Sequence, residues 1–174
     1  MTTPTTGPAG TVPLSSLFAD LEVELESTRR LLQSFPDEHA DWKPHEKSAS
    51  LVDLAAHVAS IPELGRMIAE EAEWNAAVTP YVPPKARTRD ELLALFDRSA
   101  EGARRAVAAM EAASLGDEWR MRNGDVVYFA GERGLLLRRF LVSHTAHHRG
   151  QLTVYYRLLG VPVPGMYGPT ADGM

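Results

Sequence analysis

Residues 134–159 read GLLLRRFLVSHTAHHRGQLTVYYRLL, and the fold turns on this stretch. Leu137, Leu141, His144, His148, Gln151 and Tyr155 recur at spacings of three and four, the period of an α-helix with one buried seam. Gly160 supplies a residue suited to ending it. Two seam positions that the period assigns to apolar side chains hold histidine instead. One helical turn apart, His144 and His148 have β-carbons about 5–6 Å from each other. Two neutral imidazoles buried side by side are costly without partners, and a cation would satisfy both at once.

Working back from this helix, Trp119-Arg120-Met121-Arg122 precede Asn123-Gly124, and Val126 to Phe129 follow with β-type residues. That pattern predicts a small hairpin turning on Asn123-Gly124. Leu92, Phe96, Ala100, Ala103, Val107 and Met110 form another helical stripe beginning near Thr88, with Asp90 and Glu91 at its positive end. TPYVPPKART, residues 79–88, cannot continue a helix and reads as a long surface connection. Ser50 with Asp53 three residues on fits a capping box, and the stripe Leu54, His57, Ile61, Leu64 and Ile68 follows. Pro62 should interrupt or bend that helix, since it removes a backbone donor. The first stripe, Leu14, Phe18, Leu21, Leu25 and Leu32, predicts a helix over 14–34, with Asp20, Glu22, Glu24 and Glu26 mostly off its apolar face. Pro36 and Pro44 end it, and the loop between them carries Trp42. The prediction is an all-α domain over 14–160, a four-helix bundle with a small hairpin before the last helix. A flexible lead-in occupies 1–13 and a Pro/Gly-rich tail 161–174.

Composition narrows the chemistry. The absence of cysteine leaves imidazole and carboxylate as metal ligands and removes thiol catalysis. Eighteen basic residues against twenty-three acidic ones give a net charge of −5, and no basic stripe offers a track for phosphates, so nucleic acid is not an expected partner. No apolar run approaches the roughly 20 residues that cross a bilayer, and the first thirteen residues lack the charged start and apolar centre of a secretion signal. A cytoplasmic protein is expected.

A metal on His144 and His148 needs a third ligand from a facing helix, and His57 is the other histidine on a predicted core stripe. In a bundle such a set is feasible. A lone buried histidine is more often a hydrogen-bonded core residue than a ligand, so the reading rests on the three together. His147 points about 100° away from His148 and is assigned to the pocket or to a supporting role. His39 and His45 fall in the Pro-broken loop and are expected in solvent. No Glu stands three residues before any of the three histidines, which excludes the Glu-x-x-His arrangement of di-iron bundles. The His-Glu-x-x-His zinc-protease pattern is absent as well. What remains is a three-nitrogen site with open positions, of the kind associated with catalysis. A structural or sensory metal, or histidines satisfied in the core without one, stay open as alternatives.

The string His144-Thr145-Ala146-His147-His148-Arg149-Gly150-Gln151-Leu152 resembles the C-terminal signature of the DinB/YfiT-like superfamily. Trp42-Lys43-Pro44, with Ser50 to Val58, is similar to that family's earlier segment, and the resemblance covers about residues 14 to 160. It implies an up-down-down-up bundle, often a homodimer, in which His57, His144 and His148 match the ligands of one divalent ion, nickel or zinc foremost. It implies further a small-molecule substrate, with a low-molecular-weight thiol as cosubstrate in transfer reactions. The chain is therefore expected to be a metal-dependent thiol transferase or a hydrolase, the alternative being a metal-binding module without turnover. Around the triad, Asp53 could orient His57 or merely cap its helix. Tyr155 is a candidate pocket or core residue, Arg149 and Gln151 are assigned to packing and hydrogen bonding, and Gly150 to close approach of a neighbouring helix.

Overall fold

The computed structural model describes residues 17–173; the expected lead-in over 1–13 and the helix start at Leu14 lie outside them. Helix α1 spans Leu21–Gln33. Its apolar stripe is broken upstream, where Phe18–Asp20 form a turn. Arg138 causes this departure from a helix over 14–34, donating to Leu17 O (2.6 Å) and to both Asp20 carboxylate oxygens (2.9 and 2.8 Å). Asp20 thus spends its side chain on a distant arginine and not on a cap.

Helix α2 spans Leu51–Glu70 behind the Ser50 cap. The Ser50 hydroxyl accepts from Asp53 N (3.2 Å) and donates to the Asp53 carboxylate (2.6 Å). Pro62 does not divide the helix. Its missing N–H would serve Val58 O, and hydroxyls bond the carbonyls on either side, Ser60 to His57 O (3.0 Å) and Ser99 to Ala59 O (2.6 Å). Helix α3, Arg89–Ala109, begins with a full capping box between Thr88 and Glu91.

The hairpin is present as β2 (Glu118–Asn123) and β3 (Val126–Glu132), with Asn123 paired to Val126. Its central residues are therefore Gly124 and Asp125, one later than expected. Gly124 takes φ +59° while no non-glycine residue has positive φ among the described residues, which fits a turn needing a left-handed residue only at its first central position. Trp74–Asn75 form a short third strand, β1, parallel to β2. It is pinned by Asn75 Oδ1, which accepts from Gly124 N (3.1 Å). Two residues are too few for any periodicity to announce.

The last helix runs from Arg133 to Leu158 as α4 (Arg133–Arg138), a π-helical turn (Arg139–Ser143) and α5 (His144–Leu158). The π turn holds one residue more than an α turn and so shifts the phase of all that follows by about 100°. The seam begun by Leu137 and Leu141 continues as Thr145, Arg149, Leu152 and Tyr156, all buried. The expected continuation through His144, His148, Gln151 and Tyr155 lies beside it, facing the edge of the bundle.

Side-chain pairings give the topology. Asp20 meets Arg138 and Glu24 meets Arg149, so α1 runs parallel to the last helix. Glu22 meets Arg104 and Arg29 meets Asp97, so α3 runs against α1. Ala59 meets Ser99 and Arg66 meets Gly102, which makes α2 parallel to α3. Arg133 donates to Ile68 O, and Leu141 packs on Gly65. The bundle is up-down-down-up, and its core includes Leu25, Leu32, Leu51, Val58, Phe96, Leu137, Leu152 and Tyr156. None of the described helices is long and apolar enough to cross a membrane.

Candidate metal centre

His57 stands on the second turn of α2, where the Ser50 cap fixes the helix start. His144 opens α5 directly after the π turn, and His148 follows one turn later. The separation of α2 from the last helix is set by Gly65 and Leu141: a β-carbon on Gly65 would lie 2.8 Å from Leu141 Cδ1. Only glycine lets the helices approach this closely. The approach brings His57 Nε2 to 3.4 Å from His144 Nε2 across the two helices, and His148, one turn along the same helix, puts its Nε2 2.8 Å from that atom. All three histidines offer ring nitrogens within 4.8 Å of one another.

Such crowding is informative about charge. A neutral imidazole has one N–H and one lone pair, so three converging nitrogens cannot all be paired with each other. Burial holds all three pKa values below the ordinary imidazole range, with the neighbouring histidines adding to the effect at each, and His144 is lowered to about 4. At His148 the contact with Gln151 partly opposes this. Near neutral pH the cluster is therefore uncharged, with lone pairs available. Metal–nitrogen bonds of about 2.0–2.1 Å at angles of about 90–110° put adjacent nitrogens about 2.8–3.4 Å apart. The two spacings to His144 Nε2 fall at the ends of that range, and the three histidines can hold a metal ion.

Beside the cluster lies a cleft of about 480 Å³, lined by Asp53, Leu54, His57, His148, Gln151 and Tyr155 among others.

Sequence comparison places this architecture. The profile of the DinB family matches residues 1–173. The chain belongs to the DinB family. It is 28% identical over 155 residues to YrdA of Bacillus subtilis (strain 168), covering 87% of this chain and 86% of that protein. Its fold is similar to that of a DinB-like protein, YjoA, from Bacillus subtilis, with a TM-score of 0.66 at 20% identity over 87% of this chain and 96% of the other. A DinB-like protein from Bacillus cereus ATCC 10987 gives 0.67 at 20% identity, covering 88% and 97%.

In this DinB family protein the remaining candidate residues separate by role. Asp53 lines the cleft, but its hydrogen bonds run to Ser50 and it serves the helix cap. Tyr155 is half-buried and forms a cleft wall; its hydroxyl donates to Ala49 O (3.2 Å), and Trp42 meets its ring edge-on at 5.7 Å. His147 is exposed, its ring 4.7 Å from that of His148, and it stands outside the nitrogen cluster. His45 is exposed, whereas His39 is half-buried at the end of a short 3-10 turn, Asp37–His39. Among the described residues no atom outside the helix comes within 4 Å of a β-carbon on Gly150, and no described helix approaches it closely.

One element of the site's support escaped the sequence. Arg149, next to His148, is buried in an ion pair with Glu24 (2.6 Å), and it also donates to Glu24 O (2.9 Å), Thr28 Oγ1 (3.1 Å) and Tyr167 OH (2.6 Å). Glu24 belongs to the buried face of α1 and not with the solvated acids around it. A phase-shifted wheel that put Arg149 on the core seam would have called for an internal carboxylate.

Proposed function

We propose that this protein is a divalent-metal enzyme acting on a small molecule, as a transferase using a low-molecular-weight thiol or as a hydrolase. The observation that carries the reading is the convergence of three uncharged ring nitrogens from two helices at the side of an open cleft. A divalent ion held by neutral imidazoles alone keeps its full charge and lowers the pKa of a thiol or water bound to it toward neutrality. The protein's own residues supply the surroundings. Leu54, Val154 and Tyr155 give the cleft apolar surface against which a substrate can pack, while Ser48, Asp53 and Gln151 give it polar groups that can orient one. Zinc and nickel both suit an all-nitrogen site. The reading extends to a homodimer, as the family resemblance implies, working in the cytoplasm.

Elemental analysis of protein purified without a nickel column tests the metal. We expect close to one divalent ion per chain, falling to trace in His144→Ala. Trace metal in the wild type would overturn the proposal. Catalysis is tested by screening thiols against electrophiles, where equal rates for the wild type and His148→Ala would remove the enzyme reading and leave a binding module.

A further inference from the structure

The three imidazoles are not held alike. His148 Nδ1 lies 2.7 Å from Gln151 Oε1, whereas His144 Nδ1 is buried and meets no partner among the described residues. Gln151 stands three residues beyond His148, on the same side of the helix. It is exposed at the cleft, and its hydrogen bond to His148 is the single one its side chain makes among the described residues.

A carboxamide oxygen can only accept, so this contact requires the proton of His148 on Nδ1. The lone pair is then on Nε2, which points into the cluster 2.8 Å from His144 Nε2. A ring nitrogen can take a metal only when it carries no proton, and the partner of the other nitrogen decides which one that is. In the metal-free cluster the 2.8 Å contact then has His144 Nε2–H donating to His148. His144 must move that proton to Nδ1 before it can serve as a ligand, while His148 is ready as it stands.

We propose that Gln151 is the positioning residue of the centre, holding His148 in the Nδ1–H form that presents Nε2 to a metal. This rests on the metal reading above for its purpose, though not for its geometry. Being neutral, the carboxamide orients the ring without adding charge, whereas a carboxylate in its place would pull on the Nδ1 proton and make Nε2 a stronger donor. Gln151→Leu and Gln151→Glu should therefore move metal affinity in opposite directions. A residue serving only to pack or solvate the helix would do neither.

Two measurements test this. Long-range proton–nitrogen correlation spectra of the metal-free protein, with histidine nitrogens labelled, report each ring's tautomer. We expect Nδ1–H at His148 in the wild type and loss of that preference in Gln151→Leu. Competition titration with zinc alone should show Gln151→Leu binding about 10–100-fold more weakly and Gln151→Glu binding as tightly as the wild type or tighter, with the metal-free melting temperatures unchanged. An Nε2–H tautomer at His148 in the wild type, or a Gln151→Leu affinity within about twofold of the wild type, overturns the inference. A wild type that takes no zinc yet shows Nδ1–H at His148 sinks the metal reading and leaves the hold of Gln151 on His148 standing.

Discussion

Glu24→Ala removes the carboxylate from a pair that is almost closed to solvent, the Arg149 and Glu24 side chains being 2% and 8% exposed. Taking one partner from a buried pair leaves the other charge uncompensated, which costs about 3–5 kcal/mol. Arg149 would keep neutral acceptors in Glu24 O, Thr28 Oγ1 and Tyr167 OH, and hydrogen bonds to a charged group contribute about 1.5–3 kcal/mol each. These do not replace the charge, but they hold the guanidinium in place, so we expect the lower half of the range, about 3–4 kcal/mol. Against a total stability of about 5–15 kcal/mol for a domain, that is a large share. Glu24→Gln keeps an acceptor and should lose less, and Tyr167→Phe, which removes a hydroxyl bonded to both charged partners, about 1.5–3 kcal/mol. Replacing both charges, Glu24→Leu with Arg149→Met, should recover most of the loss, because no charge is then left in the core. Urea unfolding with linear extrapolation measures each variant. A cost below about 1 kcal/mol for Glu24→Ala, the level of an exposed pair, or a double variant less stable than the single one, would refute this account of the pair.

Glycine substitutions on the two helices of the centre should act in opposite senses. A β-carbon at Gly65 would meet Leu141 Cδ1 at 2.8 Å and two more Leu141 atoms at 3.2 Å; overpacking of about 1–3 kcal/mol outweighs a helix-propensity gain of about 1 kcal/mol, so urea curves for Gly65→Ala should show a net loss. Gly150→Ala meets nothing within 4 Å among the described residues and should gain up to about 1 kcal/mol; no gain would show that the backbone there needs glycine for another reason. The metal-free protein should also lose stability as pH falls. The folded-state pKa values of His57, His144 and His148 lie below the unfolded value of 6.5, that of His144 at about 4. The unfolded chain therefore binds more protons than the folded one between these limits, and the stabilisation present above 6.5 is lost toward 4. Melting temperatures across that window should fall less steeply for His144→Ala, and equal slopes would contradict the burial of this ring.

The helices were legible wherever one period and one cap governed a segment. Ser50 with Asp53 starts its helix as their spacing says, the helix expected near Thr88 begins at Arg89, and His57 lies where the stripe of α2 puts it. Legibility failed where a partner remote in the chain decided the local structure. Asp20 does not cap because Arg138 claims it, and Glu24 is buried because Arg149 needs it. Neither fact is written in the neighbourhood of the residue. The last helix failed differently: a uniform 3.6-residue period chose Tyr155 for the core, whereas the π turn hands that place to Tyr156. The family signature located the three histidines through this error because it depends on residue order alone.

That turn has a genetic consequence. Insertions and deletions within a helix normally scramble everything downstream, yet Arg139–Ser143 already contains a surplus residue, and losing one there would convert the segment to plain α-helix while sparing the alignment of Arg149, Leu152 and Tyr156 with Leu137. Keeping all the residues but straightening the turn would do the reverse, swinging the histidines inward and the arginine out. Whether these few positions wind as a π turn or as a plain α turn, at their present length, thus selects whether this helix shows its imidazoles to the cleft or hides them in the core.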